Sequence, residues 1–373
     1  MEDGKTVNRN ISFGFSGDLC LSRAQENPSY LDQTYRFCYE CNESVDLAIT
    51  NLEFCIIPEN LNAGRMALPE NYASNLPAAG FDVYCLANNH IKDYGEQVML
   101  ATQDYLENQG QKTVGVGNNL QEAIKPLYLE KNGFKIAIIN VCDATHSAAK
   151  RNTAGIAPLK KKLLFQTVKQ TKTTADIVIV CIHADLEFTN SPAPWRVKLS
   201  RKVAEAGADI LVQHHPHTLQ GIEYWNGSLI AYSLGNFVFP INGNSYMEGR
   251  EGFVTEGGYL KIFITDNEKR LEISHEFIPI LIGDNNRSEI AASLESDKIK
   301  LKVKSYSDVL NDKFSLREQY WKKCRKEMRG FVMDLYYRLA KRKIKDSWHF
   351  FWSHMFTQAH LNWIRGFFTL GKY

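Results

Sequence analysis

Short apolar runs, each closed by turn residues, recur through the first 280 positions, and nothing else in the sequence restricts the fold as tightly. They extend from Ile11 to Phe15, Asp46 to Leu52, Val83 to Ala87, Lys135 to Val141, Ile177 to Ile182, Ile210 to Gln213, Leu229 to Ser233 and Leu260 to Ile264. Runs of this length and makeup read as mostly buried strands. Helix-period segments lie between several of them, for example Gln97 to Asn108 and Trp195 to Ala206. Strands interleaved with helices predict a layered α/β architecture rather than an all-β one.

The 373 residues suffice for one large domain with an appendage, and 44% hydrophobic against 23% charged residues describes neither a disordered nor a membrane-spanning chain. No stretch reaches the roughly 18 to 20 uninterrupted apolar residues of a spanning helix, and the start, MEDGKTVNRN, carries no apolar leader. The expectation is a cytoplasmic chain, with peripheral membrane contact as the alternative. Several of the eight cysteines sit inside apolar runs, as Cys85 and Cys181 do, and read as small buried hydrophobes in a reducing compartment. Cys38 and Cys41 form a lone CxxC without a second pair, so packing is expected of them rather than metal or redox chemistry.

Near Gly283-Asp284-Asn285-Asn286 the character changes, which divides the chain into a domain at 1–285 and a basic, aromatic-rich helical tail at 286–373. From 301 to 373 there are 16 Lys and Arg against 6 Asp and Glu, a net of +10, so the overall +2 leaves the first 300 residues at −8. Trp321, Cys324, Met328, Phe331, Leu335 and Leu339 recur at three- and four-residue steps, the stripe of an amphipathic helix. One reading docks that stripe on the main domain. The other, favoured by the aromatic cluster from Trp348 to Phe368, gives residues 313–373 a peripheral membrane or polymer-synthase contact. Nucleic acid is not expected, because the aromatics follow helix spacing and not a recognition module.

Chemistry-bearing residues gather where strands end. Gly17-Asp18, Asn51-Leu52-Glu53, Asn88-Asn89-His90, His183 and His214-His215-Pro216-His217 each follow or close an apparent strand, the place where open α/β sheets collect ligand sites. Taken singly, each has a bland reading as a turn or a hydrogen-bonded structural residue. Taken together, carboxylate, amide and imidazole groups in one cleft would be costly to bury without a cation. Imidazole with carboxylate suits Zn, Fe or Mn better than Ca. On extended backbone the His-x-His step would aim both rings to one face, and one or two ions sharing a carboxylate would complete a hydrolytic centre.

The order Gly-Asp, strand-end acid, Asn-His, His and His-x-His resembles the calcineurin-like metallophosphoesterases. The finer wording resembles the CapA family of capsule and poly-γ-glutamate biosynthesis: GDLCLSR (17–23), NLE (51–53), AGFDVYCLANNHIKDYG (79–95), VGVG (114–117), HADLEF (183–188), AGADILVQHHPHTLQGIEYWNG (206–227) and IAYSLGNFVF (230–239). The resemblance covers residues 11–240. It implies a layered αββα sandwich in which Asp18 and His217 hold one divalent ion, Asn89, His183 and His215 the other, and Glu53 bridges. It further implies that His90 is a general acid oriented by Asp93, and that Arg23 and Glu187 face an anionic substrate or polymer.

Departures accompany the matches. Cys20 stands where the superfamily carries a His, and Glu53 where it carries an Asp, which makes the first ion position poorer. Ala184-Asp185 and Gln213 replace the usual Trp-Gly and Gly. Asn236 is expected in a tight turn, with a substrate contact as the sharper alternative, and His214 on the rim rather than among the ligands. Gly115 and Gly117 lack the Lys-Ser/Thr that would make a phosphate loop. Two functions stay open: a metal-dependent hydrolase of a phosphoester or γ-glutamyl amide, or a non-catalytic accessory protein of a polymer synthase.

Overall fold

The computed structural model describes residues 9–22, 28–64, 66–250, 253–267, 270–341, 348 and 358–370. Two large sheets dominate. The first contains β1 (Arg9–Leu19), β2 (Leu47–Leu52), β3 (Val83–Cys85), β4 (Lys112–Val114), β11 (Asn236–Val238), β12 (Glu256–Asp266), β13 (Leu271–Ile282) and β14 (Ser288–Ile290), in the order β14-β13-β12-β1-β2-β3-β4 with β11 beside the end of β1. The second contains β5 (Leu127–Lys131), β6 (Phe134–Cys142), β7 (Ile177–His183), β8 (Ile210–His214), β9 (Ile222–Trp225) and β10 (Ser228–Ala231), in the order β9-β10-β8-β7-β6-β5. The central pairs β1–β2, β2–β3, β6–β7 and β7–β8 are parallel.

Alternation along each strand explains why the apolar runs are unbroken. Ile177, Ile179 and Cys181 of β7 meet Phe13, Phe15, Ile49 and Val83 in a core between the sheets. Val178, Val180 and Ile182 point the other way, to Leu164 and Val168 of α3 (Lys161–Lys172) and Val197 and Val203 of α4 (Pro194–Glu205). On the far side, α1 (Pro28–Asn42) and α2 (Gly95–Asn108) cover the first sheet through Leu31, Tyr35, Cys38, Met99 and Leu106. Strands buried on both faces must be apolar at successive positions, and the result is an αββα sandwich. Cys38 and Cys41 pack in α1, and all eight thiols are buried and free.

Several strands lie outside the apolar runs of the sequence reading, β13 being the longest, and β1 is longer than expected. β13 was not expected, because its LEISHEF stretch alternates half-buried and exposed positions, although it pairs with β12 from Leu271 to Leu281. β1 runs on through Ser16-Gly17-Asp18 instead of ending at Phe15. Gly17 permits this extension: a Cβ there would lie 2.3 Å from the Gly235 carbonyl oxygen, too close for any side chain.

After β14, the chain continues as α5 (Ser293–Val309), α6 (Lys313–Ala340) and α7 (Gln358–Leu370). Asp312 caps α6 by accepting from the amides of Phe314 and Ser315 at 3.0 and 3.1 Å. The predicted stripe docks in part: Cys324 is buried with Leu186, Ala193 and Trp363, Met328 and Phe331 pack beside it, and Tyr320, outside the stripe, is buried with them. α7 crosses closely enough that a Cβ on Gly366 would stand 2.3 Å from Cys324 Sγ. Leu339 is exposed, so the stripe leaves the domain before the helix ends. Phe350 to Phe356 of the aromatic cluster lie outside the described residues, as does Arg23. No described helix is long and apolar enough to cross a membrane.

Candidate metal centre

The parallel strands of both sheets deliver their carboxyl ends to one cleft. Asp18 closes β1, Glu53 follows β2, Asn89 and His90 follow β3, His183 closes β7, and His215 and His217 follow β8. Six of these converge. Within 4.8 Å of one another lie single ligand atoms of Asp18, Glu53 and His217, and likewise of Glu53, His183 and His215. Glu53 belongs to both groups. His217 Nε2 is 3.6 Å and His183 Nε2 3.7 Å from Glu53 Oε1, while His217 Nδ1 is 3.5 Å from Asp18 Oδ2. The Asn89 side-chain oxygen stands 2.7 Å from His183 Nε2. His90 Nε2 reaches to 4.0 Å of Glu53 Oε1 from the cleft mouth, and its Nδ1 is 2.8 Å from Asp93 Oδ2.

Burial sets the electrostatics. Asp18 and Glu53 are fully buried. Desolvation drives the Asp18 carboxyl up to about 7, against hydrogen bonds from the His215 amide at 3.3 Å and Asn51 Nδ2 at 2.9 Å. Glu53 is pushed well above the carboxylate range by burial, and further by the nearby charge of Asp18. Burial also lowers His215 to about 3, His217 to about 4 and His183 well below its usual value. All three imidazoles are thus neutral donors at pH 7, which is the form a metal needs.

Whether the residues fit a divalent ion can be judged from their hydrogen bonding. Glu53 Oε1, His183 Nδ1 and His215 Nδ1 are buried and have no hydrogen-bond partner among the described residues. Buried polar atoms are rarely left so, and these three residues gathered with a second carboxylate match the donor set of a Zn, Mn or Fe site. The cluster fits a divalent cation.

The backbone brings the histidines together differently from the expected extended step. β8 ends at His214, and His215 and His217 adopt φ of 97° and 56°, a left-handed conformation that costs energy for residues with side chains and persists where surrounding contacts enforce it. The two rings converge because of that loop, with centroids 6.1 Å apart. His214 is not on a rim: it is buried and its Nε2 meets the Ser16 carbonyl at 3.0 Å. Asn236 does not open onto the cleft either. It is fully buried, its Oδ1 lies 2.9 Å from His217 Nδ1 and its Nδ2 donates to the Val254 carbonyl at 2.9 Å, so it orients a ligand. Cys20 is turned away beside Ser22 and Met66 and joins no ligand group.

Three contributors were not assigned from sequence. Asn51 Nδ2 contacts both Asp18 and Glu53 Oε2, the latter at 3.4 Å, and only its place beside Glu53 hinted at it. The Tyr246 hydroxyl donates to Glu187, a pairing that no local pattern carries. Asp185 occupies φ 101° just after His183, and its carboxylate accepts from Leu186 and Ala193 amides at 2.8 and 2.7 Å and from the Tyr320 hydroxyl of α6 at 2.9 Å. Those bonds hold the loop after β7 against the C-terminal helices.

Known proteins share much of this chain. The PGA biosynthesis protein CapA of Bacillus subtilis is 42% identical over 162 residues, 43% of this chain and 43% of its own length. The capsule biosynthesis protein CapA of Bacillus anthracis is 29% identical over 248 residues, 62% of this chain and 60% of its own length. The chain therefore aligns with less than two thirds of either relative. Among solved structures, the calcineurin-like phosphoesterase YfkN of Bacillus subtilis is similar with a TM-score of 0.46 and 13% identity, over 81% of this chain and 99% of that one. The family model of the bacterial capsule synthesis protein PGA_cap matches residues 12–241, more than half of the chain and the span that contains every residue of the cluster, and the chain belongs to that family.

Proposed function

We propose that the cleft is a metal-dependent hydrolytic centre acting on a phosphoester or γ-glutamyl amide bond of an anionic substrate in capsule or exopolymer metabolism. Asp18, Glu53, Asn89, His183, His215 and His217 would hold one or two Mn, Fe or Zn ions, which supply Lewis acidity and activate water when bound. The observation that carries the reading is that ligand atoms of the buried Glu53, His183 and His215 lie within 4.8 Å of one another, with Glu53 Oε1 unpartnered among the described residues. His90 is the group placed to hold a proton for the departing oxygen or nitrogen. Its Asp93 contact fixes the ring, and Nε2 faces the cleft beside Glu53.

His90→Ala is expected to lower turnover of an aryl phosphate or a γ-glutamyl oligomer by about 10²- to 10⁴-fold while metal content stays at the wild-type level. A metal-loaded wild-type protein that turns over neither substrate would overturn the hydrolytic reading. The cleft would then be a binding site in an accessory protein of a polymer synthase.

A second reading concerns α6, and a graded face favours it. Lys322, Arg325, Lys326 and Arg329, then Val332, Met333, Tyr336, Tyr337 and Ala340, are all exposed and follow one another at three- and four-residue steps along one side. The side opposite carries the docked Tyr320 and Cys324. Cations followed by more-than-half-exposed Val332, Met333, Tyr336 and Tyr337 complement an anionic bilayer. Four cations near such a surface contribute roughly 4 kcal/mol. We infer that α6 docks the protein peripherally on it. Full-length protein should float with phosphatidylserine-containing vesicles, and a variant with Glu at 322, 325, 326 and 329 should stay at the bottom of the gradient. Equal flotation of both, or none for wild type, would remove the membrane role.

A further inference from the structure

One carboxylate oxygen of Glu187 and one ring nitrogen each of His215 and His217 lie within 4.8 Å of one another. We propose that Glu187 is a further ligand of the centre, sharing an ion with His215 and His217 instead of meeting substrate alone; this rests on the metal reading above.

The fold holds this carboxylate in place from both sides. Glu187 lies on the loop after β7, and the next residue, Phe188, donates its amide to the Pro216 carbonyl at 2.8 Å and stacks its ring on His217 with centroids 6.1 Å apart. That bond spans the gap between the two ligand loops at the middle of the His-x-His step. On its other side the loop is anchored by the buried Asp185 carboxylate, which accepts two amides and the Tyr320 hydroxyl. Phe188 and Asp185 both have positive φ, 57° and 101°, a conformation that such cross-links are needed to maintain. These bonds fix the backbone from which Glu187 reaches the two imidazoles.

The carboxylate is oriented as ligands usually are. The Tyr246 hydroxyl donates to Glu187 Oε2, leaving Oε1 for a cation, and a hydrogen-bonded outer partner of this kind fixes ligand geometry. Tyr246 is itself placed by Phe188, whose ring meets it edge-on at 5.6 Å, and by Arg250 stacked at 4.8 Å. Charge supports the same assignment. Asp18, Glu53 and Glu187 bring three carboxylates to neutral imidazoles, and the charges of Asp18 and Glu187 both act on Glu53. A divalent cation relieves that repulsion, whereas an anionic substrate bound by Glu187 would add to it.

The test is titration of metal-stripped, full-length wild type, Glu187→Gln and Tyr246→Phe with Co(II) against a competing chelator, read by cobalt content and visible absorption, with circular dichroism as the check on folding. Glu187→Gln should weaken at least one bound Co(II) by about 10- to 100-fold and change the band intensity. Tyr246→Phe should do the same to a smaller degree. A Glu187→Gln protein with wild-type cobalt affinity and spectrum would overturn the ligand assignment while leaving the hydrolytic centre intact. A wild-type protein that takes up no Co(II) would overturn both.

Discussion

Glu53→Gln should cost more than any other single substitution in the cleft: turnover should disappear and cation affinity should fall by roughly 10²- to 10³-fold, the equivalent of about 3–4 kcal/mol, within the range for removing one partner of a buried charge pair. Glu53 is shared by two ligand groups, so its loss disables both at once, whereas Asp18 or His183 belongs to one. The same change has an opposite effect on the metal-free protein. Wild type buries a carboxylate with an unpartnered oxygen next to Asp18, and the neutral amide removes that charge. Glu53→Gln without metal should therefore unfold at the same temperature as metal-free wild type or higher, near pH 8. A variant that is destabilised without metal, yet still binds cation like wild type, would show that Glu53 serves packing and not coordination.

The second large effect is on stability against pH. Asp18, near 7 when folded against 3.8 otherwise, holds more protons in the native state between those values, so its contribution is lost as pH rises through that window. Glu53, raised well above the usual carboxylate range by burial, has the same sign. His215 and His217, lowered to about 3 and 4, act oppositely: their contribution is full above 6.5 and is lost as pH falls below it. The two slopes oppose one another from about 4 to 6.5, and only the carboxylate slope remains beyond. Metal-stripped protein should lose thermal stability from pH 6.5 to 8. Mn(II) or Zn(II) at a hundredfold excess over Kd contributes about 2.7 kcal/mol, roughly 3–6 °C in Tm, and should flatten that fall. Thermal scans with and without metal decide it, and an alkaline decline that metal leaves untouched would contradict the assignment.

How much of this was legible in the sequence depends on what each residue's role requires. The strand-tip positions of the cluster were legible because a parallel strand buried on both faces is an apolar run, and the polar residues that close it mark its end. Asp18, Glu53, Asn89, His183 and His215 all lie at or within a few residues of such an end. The sandwich was legible for the same reason, while β13 was not, since its first half is no continuous apolar run and its partner lies in β12. The His215–His217 geometry was misread because an extended step is the default for a residue pair after a strand, and only the surrounding fold enforces positive φ there. Asn236 was misread because its partner, His217, is 19 residues away. The nearness of Glu187 to His215 and His217 was not legible, because the Phe188–Pro216 bond that joins the two loops spans 28 residues.

Docking of the tail was half legible. The three- and four-residue stripe pointed to the docked side of α6 through Cys324, Met328 and Phe331, while Tyr320 on that side was not in it. The anchor itself was not legible, because Asp185 replaces the expected glycine and its bond to Tyr320 joins residues 135 positions apart.

The central claim is that the cluster around Glu53 holds a cation, and the most direct measurement is elemental analysis after equilibrium dialysis of metal-stripped protein against Mn(II) or Zn(II). At least one ion per chain should remain with wild type and be lost from His215→Ala at the same free-metal concentration. Wild type that retains no more metal than His215→Ala would contradict the account.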